Sequence, residues 1–182
     1  VADTSVATGP VRFAREDGAW LINIATDSIS LETTGYDTWA NFRAHFGELV
    51  AAIPEGLRPA RATRVGVRYV DQIQAQGVIT PSDWRQYIEP SLLGPQDSLI
   101  FDEHLIQGLQ QLSFRIEDDG VNVRHGYVKN DAAADYPSTY VIDTDLFTET
   151  EQPFDVPAIL DRIDRYHGWA WNLFRRSITP AT

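Results

Sequence analysis

The chain of 182 residues is 43% hydrophobic and 23% charged, contains no cysteine, and carries a formal net charge of −11. These values are ordinary for one globular domain, and they exclude collagenous, low-complexity and disulfide-stapled proteins as well as thiolate metal sites. The acidic balance argues against general binding to nucleic acids or anionic membranes, and no apolar run approaches the roughly 18 residues that span a bilayer.

The first part of the chain predicts a tail, three strands and a helix. Residues 1–10 are small and polar, which is typical of a flexible tail or linker, and we expect one domain over residues 11–182. Short strands of a meander are predicted over residues 11–14, 20–25 and 29–32. Apolar side chains then recur at helical spacing from Trp39 to Ile53, so we predict a helix there. Either Asp37 or Thr38 caps it, and Pro54-Glu55-Gly56 is expected to end it.

The middle of the chain predicts one strand, one short helix and a stretch of mixed structure. In the strand over residues 62–74, Val65, Val67 and Tyr69 alternate with Arg64, Gly66 and Arg68. Thr80 and Pro81 begin a short helix that we predict through Ile88. Residues 89–108 have weak periodicity.

The last part predicts a hairpin, a strand and a long helix. The hairpin turns at Asp118-Asp119-Gly120, and the strand covers residues 140–147. A helix beginning near Asp155 carries an apolar stripe that extends to Ile178. We therefore predict the α+β class, with a mainly antiparallel sheet of about six to seven strands and both long helices packed on one face.

The strand pattern places two arginines on either side of a glycine. Arg64 and Arg68 lie on one strand face about 13 Å apart, and Gly66 between them leaves the backbone open to a close approach. Paired guanidinium groups bind carboxylates and phosphates, so we predict a small-anion site, with Arg124 and His125 as further candidates. The alternative is that both arginines pair with acidic residues of neighbouring strands.

The sequence contains no recognisable catalytic motif. His167 lies on the apolar stripe of the last helix, where a buried histidine bonded to a carbonyl or an acid is a better interpretation than a base or a ligand. There is no glycine-rich phosphate loop, no nucleophile elbow and no histidine pair at helical metal spacing. We therefore assign no catalytic residue, no metal and no cofactor.

Three segments together resemble a sporadically distributed family of bacterial proteins of unknown function. They are Tyr36–Phe42, Arg64–Asp71 and His167–Thr179. The most specific part is the Arg64, Gly66, Arg68 and Tyr69 pattern. Members of that family have a further N-terminal strand and helix. Since the chain contains no methionine, we expect a segment before Val1.

The resemblance implies a bacterial, soluble protein, which we expect to be cytoplasmic, but it implies no reaction. The sporadic distribution is typical of horizontally transferred accessory genes, including those of defence systems. Our leading hypothesis is a non-enzymatic interaction domain of a bacterial multi-protein unit, with a protein partner or self-association at an exposed sheet edge near Val11 or Tyr140. The alternatives are an anion- or nucleotide-sensing module that uses the arginine pair, and a hydrolase that uses His167 or His125 with carboxylates.

Overall fold

The computed structural model describes residues 9–97, 104–131 and 135–182. In these ranges the strands are β1 (Val11–Ala14), β2 (Trp20–Ile24), β3 (Ile29–Thr33), β4 (Arg61–Ala62), β5 (Val65–Ile73), β6 (Gln107–Ile116), β7 (Asp119–Lys129), β8 (Ser138–Thr148) and β9 (Gln152–Pro153). The α-helices are α1 (Trp39–Gly56), α2 (Pro90–Leu93) and α3 (Val156–Ser177), and 3₁₀ helices cover Pro81–Gln86 and Gly94–Asp97. Most of the predicted tail, residues 1–8, lies outside the described residues.

The α+β class with antiparallel pairing is confirmed, but the strands do not form the single sheet that was predicted. Within the described residues there are three sheets, with strand orders β1-β2-β3, β4-β9 and β5-β8-β7-β6. The contacts divide the chain into two compact units after Arg58, so that α1 and α3 belong to different units. The two long helices therefore do not pack together on one face of a single sheet, as was predicted. The prediction of one domain over residues 11–182 did not include the division after Arg58.

The first unit combines the β1-β2-β3 meander with α1. Trp20 of β2 stacks on two side chains of the helix, with ring centroids 5.9 Å from Phe42 and 4.5 Å from His45. Thr38 caps the helix by accepting a hydrogen bond from the Asn41 amide, as one of the two predicted caps would. The helix ends at Gly56, within the segment Pro54-Glu55-Gly56 that was predicted to end it.

The second unit packs α3 against one face of the four-stranded sheet. Asp155 caps α3 by accepting a hydrogen bond from the Ala158 amide. Two groups of buried apolar side chains fill the space beneath the helix and the short helices before β6. They are Val121, Val123, Leu146, Tyr166 and Ala170 in one group, and Val78, Trp84, Ile88, Leu93, Tyr127, Tyr140 and Ile142 in the other.

A buried polar network ties the start of β7 to α3. Asp119 accepts hydrogen bonds from Nη1 of Arg162 at 2.8 Å and from the Tyr166 hydroxyl at 2.7 Å. The Asp119 side chain is 7% exposed, so its charge depends on these partners. Burial is the main cause that raises the pKa of Tyr166 to about 12.

Two other segments refine the prediction. The predicted helix through Ile88 is a 3₁₀ helix over Pro81–Gln86, and residues 89–97 contain α2 and the second 3₁₀ helix. Among the described residues, no helix has both the length and the apolar character needed to cross a membrane.

Candidate functional site

The two predicted arginines are engaged by carboxylates of the neighbouring strand. Nε and Nη2 of Arg68 donate to the two carboxylate oxygens of Asp143 at 2.7 and 2.6 Å, and Nη2 of Arg64 lies 3.1 Å from Asp145. The hydrogen bonds to Asp143 raise the pKa of Arg68. Of the two interpretations considered above, these contacts match the one in which acidic residues of β8 pair with both arginines.

The backbone at Gly66 is covered rather than open. Phe147 of β8 lies between Gly66 on β5 and Gly120 on β7, directly opposite both in the sheet register. A β-carbon at Gly120 would lie 2.6 Å from Cζ of the Phe147 ring, and one at Gly66 would lie 3.1 Å from Nη1 of Arg64. The Arg64 guanidinium lies 4.8 Å from the centroid of the same ring. Both glycines therefore make room for the Phe147 ring and the arginine over it.

Arg124 and Arg115 share this polar sheet face without an ion pair to any described residue. Strand alternation places Arg124 on β7 opposite Asp143, whose carboxylate is occupied by Arg68. Arg115 belongs to the same face at the end of β6, since it lies opposite Gly120. The shallow depression beside Arg124 has a volume of about 210 Å³. The depression is lined by two arginines, Arg68 and Arg124, and by two aspartates, Asp143 and Asp145.

His125 lies on the opposite face of the sheet from the arginines, which corrects its placement in the predicted anion site. Successive residues of a strand point to opposite faces, so Arg124 and His125 cannot share a ligand on one face. The His125 side chain is buried, and its Nδ1 lies 2.9 Å from the Tyr140 hydroxyl. Burial lowers the pKa of His125, which favours the neutral ring.

His167 contacts a tyrosine of the sheet. Its Nδ1 lies 2.9 Å from the hydroxyl of Tyr69 on β5, where the predicted partners were a carbonyl or an acid. Burial lowers the pKa of His167, and the charge of Asp164 one turn earlier on α3 opposes that shift. The ring is half-buried between helix and sheet, so it contributes to packing at this interface.

The position of β6 at an edge of the sheet is the feature that sequence reasoning missed, although the strand itself was predicted as part of the hairpin. It forms one end of the four-stranded sheet and pairs with β7, and no other described strand pairs with it. Its side chains on the α3 face are apolar but remain exposed, at 42% for Leu112, 50% for Phe114 and 41% for Ile116. Tyr140, near which an edge was predicted, is instead buried on the central strand β8, whereas Val11 does lie on an edge strand of the first unit.

An apolar groove runs between β6 and the C-terminal part of α3. Its volume is about 150 Å³, and the residues that line it are Leu92, Leu112, Phe114, Val123, His125, Ile142, Leu173 and Ser177. The alternation of Leu112, Phe114 and Ile116 is visible in the sequence, but the same pattern is typical of a strand whose apolar face is covered. Only the order of the strands in the sheet shows whether that apolar face is covered or exposed.

The remaining polar clusters of the described residues do not form a metal centre. No group of three or more histidine, aspartate and glutamate side chains lies close enough together in those ranges to hold an ion. His125 has a tyrosine as its partner and no carboxylate among its described contacts. The described surroundings of this histidine thus lack the carboxylate that the hydrolase alternative requires.

The chain matches no protein-family profile, no curated protein and no solved structure. The resemblance to the sporadically distributed bacterial family stays a prediction.

Proposed function

We propose that the chain is a non-enzymatic interaction domain, one component of a bacterial multi-protein unit, and that it binds an extended segment of a partner protein along β6. The observation that supports this is the combination of a sheet edge without a strand partner among the described residues and three exposed apolar side chains on that same strand. An added strand satisfies the backbone N–H and C=O groups of an edge and covers its apolar side chains in one step.

The composition of β6 favours an edge that is covered in use. Sheet edges that stay in water are protected by charges, prolines, bulges or short length. β6 spans ten residues, contains no proline, and has Arg115 as its single charged residue. The other edge of the same sheet, β5, carries Arg68 and Asp71 and packs against α3. The unprotected edge is therefore β6.

The two faces of β6 define the chemistry of the partner segment. Toward α3 the segment needs apolar side chains at alternate positions, where they would lie beside Leu112, Phe114 and Ile116. Toward the polar face it needs acidic side chains, because Arg115 and Arg124 lack an ion pair to any described residue. The partner is thus an amphipathic, acidic strand.

The arginine pair gives less support to the anion-sensing alternative. A ligand at Arg64 and Arg68 would have to displace two carboxylates that already occupy the guanidinium groups. Asp143 and Asp145 would remain in the same depression and repel a negatively charged ligand.

A designed peptide tests the proposal. A ten-residue peptide that alternates isoleucine with glutamate or threonine should bind, whereas a peptide of equal composition in shuffled order should not. Ile116→Lys puts a charge on the apolar side of β6 and should weaken binding about tenfold. Gln111→Thr, on the polar face of the same strand, is the matched control and should leave binding unchanged.

A second arm tests the predicted charge of the partner. Arg115→Glu should weaken binding of the glutamate peptide and strengthen binding of a lysine peptide of the same pattern. Fluorescence anisotropy with labelled peptides measures both effects. Equal affinity for the alternating and shuffled peptides, or equal losses in the Ile116→Lys and Gln111→Thr variants, would contradict strand addition at β6.

A further inference from the structure

Among the residues that line the apolar groove beside α3, two have polar side chains, His125 and Ser177. Both are almost completely buried, with exposed fractions of 2% and 5%. The Ser177 hydroxyl donates its hydrogen to the Leu173 carbonyl at 2.9 Å, so its oxygen is left as an acceptor. The side-chain hydrogen-bond donors and acceptors available to a ligand in the groove therefore come from His125 and Ser177.

The hydrogen bonds of Tyr140 determine which nitrogen of His125 carries the proton. The Tyr140 hydroxyl has one hydrogen and two neighbours: the Leu92 carbonyl at 3.3 Å, which can only accept, and Nδ1 of His125 at 2.9 Å, whose role depends on the tautomer of the ring. Donation to the carbonyl leaves the hydroxyl oxygen to accept from Nδ1–H. Burial keeps the ring neutral by lowering its pKa, and a neutral imidazole carries one hydrogen. In that arrangement Nδ1 is protonated, and Nε2 is an acceptor that has no partner among the described residues.

We infer that the groove is a binding site for a small uncharged molecule with an apolar body and one hydrogen-bond donor, of the phenol class, which donates to Nε2 of His125. With Nδ1 protonated, the polar side chains that line the groove present acceptors only, so the groove disfavours anions. It has no carboxylate among its lining residues to compensate a buried cation. The groove volume of about 150 Å³ is enough for a benzene-sized molecule.

This inference does not rest on the proposed binding of a partner strand. Ile116 belongs to the exposed edge but does not line the groove, whereas His125 lines the groove and lies on the inner strand β7. Ile116→Lys should therefore weaken peptide binding and leave phenol binding intact. His125→Phe should do the reverse, so the failure of one proposal can be told from the failure of the other.

The experiment compares phenol with toluene, which has nearly the same shape and no donor. NMR titration of the protein with each compound gives the two affinities. The ratio of phenol to toluene affinity should fall about five- to tenfold in His125→Phe, the value of one net hydrogen bond, while toluene still binds. The ratio in Ile116→Lys should equal that of the wild type.

A measurement on the wild-type protein, and a second variant, cover the case in which the His125 variant does not fold. Imidazole ¹⁵N shifts of the wild-type protein should show the Nδ1–H tautomer, and phenol should perturb the Nε2 resonance. Tyr140→Phe removes the hydroxyl that accepts from Nδ1–H of His125, so the proton is no longer held on Nδ1. The ratio of phenol to toluene affinity should therefore fall in this variant. An Nε2–H tautomer in the wild type, no binding of either compound, or an unchanged ratio in both variants would overturn the inference.

Discussion

An alanine at position 120 would place its β-carbon 2.6 Å from Cζ and 2.8 Å from Cε2 of Phe147. Normal contacts between such carbons are about 3.5 to 4.0 Å, so the ring must move by about 1 Å. Its path is restricted, because the Arg64 guanidinium lies 4.8 Å from the ring centroid and binds Asp145. Gly120→Ala therefore displaces the ring and disturbs the arginine above it.

The expected change in the free energy of unfolding of Gly120→Ala is the sum of two opposing contributions. Overpacking of this kind costs about 1 to 3 kcal/mol, and replacing glycine by alanine in a strand returns about 0.5 to 1 kcal/mol. We expect Gly120→Ala to lower the free energy of unfolding by about 1 to 2 kcal/mol. Urea unfolding followed by tryptophan fluorescence and circular dichroism measures this, with the denaturant slope unchanged.

Two variants make the reasoning refutable. In a Phe147→Leu background the aromatic ring is gone, so the additional effect of Gly120→Ala should be small or favourable. At Gly56, where a β-carbon would meet nothing within 4 Å, alanine should not destabilise the protein. If Gly120→Ala lowered the free energy of unfolding as much in the Phe147→Leu background as in the wild type, the claim that Gly120 makes room for the Phe147 ring would be wrong.

Three further predictions concern buried ionisable groups. Burial raises the pKa of Asp71, which has no hydrogen-bond partner among the described residues, so its folded-state charge lowers stability once the pH exceeds that pKa. Asp71→Asn should stabilise the protein at pH 7 and not near pH 3, and equal effects at both values would contradict this. Burial lowers the pKa of His125 and His167, so the unfolded state binds more protons as the pH falls below about 6.5. The contribution of these two histidines to the free energy of unfolding should be complete above that pH and lost below it. A double variant with His125→Phe and His167→Phe whose stability has the same pH dependence as the wild type would refute this prediction. Asp119→Asn should lower stability by about 3 kcal/mol, because Arg162 then keeps its charge in a largely buried position, and a calorimetric loss below 1 kcal/mol would argue against a structural role of the pair.

The helices and hairpins were predictable because their signals are local. Thr38 and Asp155 cap their helices as typical N-cap residues, and the alternation of Val65, Val67 and Tyr69 marks the inner face of β5. Such patterns act over a few residues, so no knowledge of the rest of the fold is needed.

The pairing of the sheets was not predictable in this way. The carboxylates that engage Arg64 and Arg68 are 81 and 75 residues further along the chain. Alternation predicts which residues share a face of one strand, but it does not indicate which strand lies next to it. For the same reason the exposure of Leu112 and Phe114 could not be inferred, because it depends on β6 having one strand neighbour.

The separation of Arg124 from His125 could have been predicted. Adjacent residues of a regular strand point to opposite faces, and the alternation in this segment is clear in the sequence. The sequence could not indicate the hydrogen-bond partner of His125, since Tyr140 belongs to another strand.

Amide hydrogen exchange, with and without the alternating acidic peptide, tests the central claim most directly. Binding along β6 should slow the exchange of amides in Gln107–Ile116 that face away from β7, and should leave those of the opposite edge, Val65–Ile73, unchanged. The Ile116→Lys variant should lose this protection. Protection confined to β5, or no change in β6 at peptide concentrations that saturate binding, would contradict the claim that β6 is the binding edge.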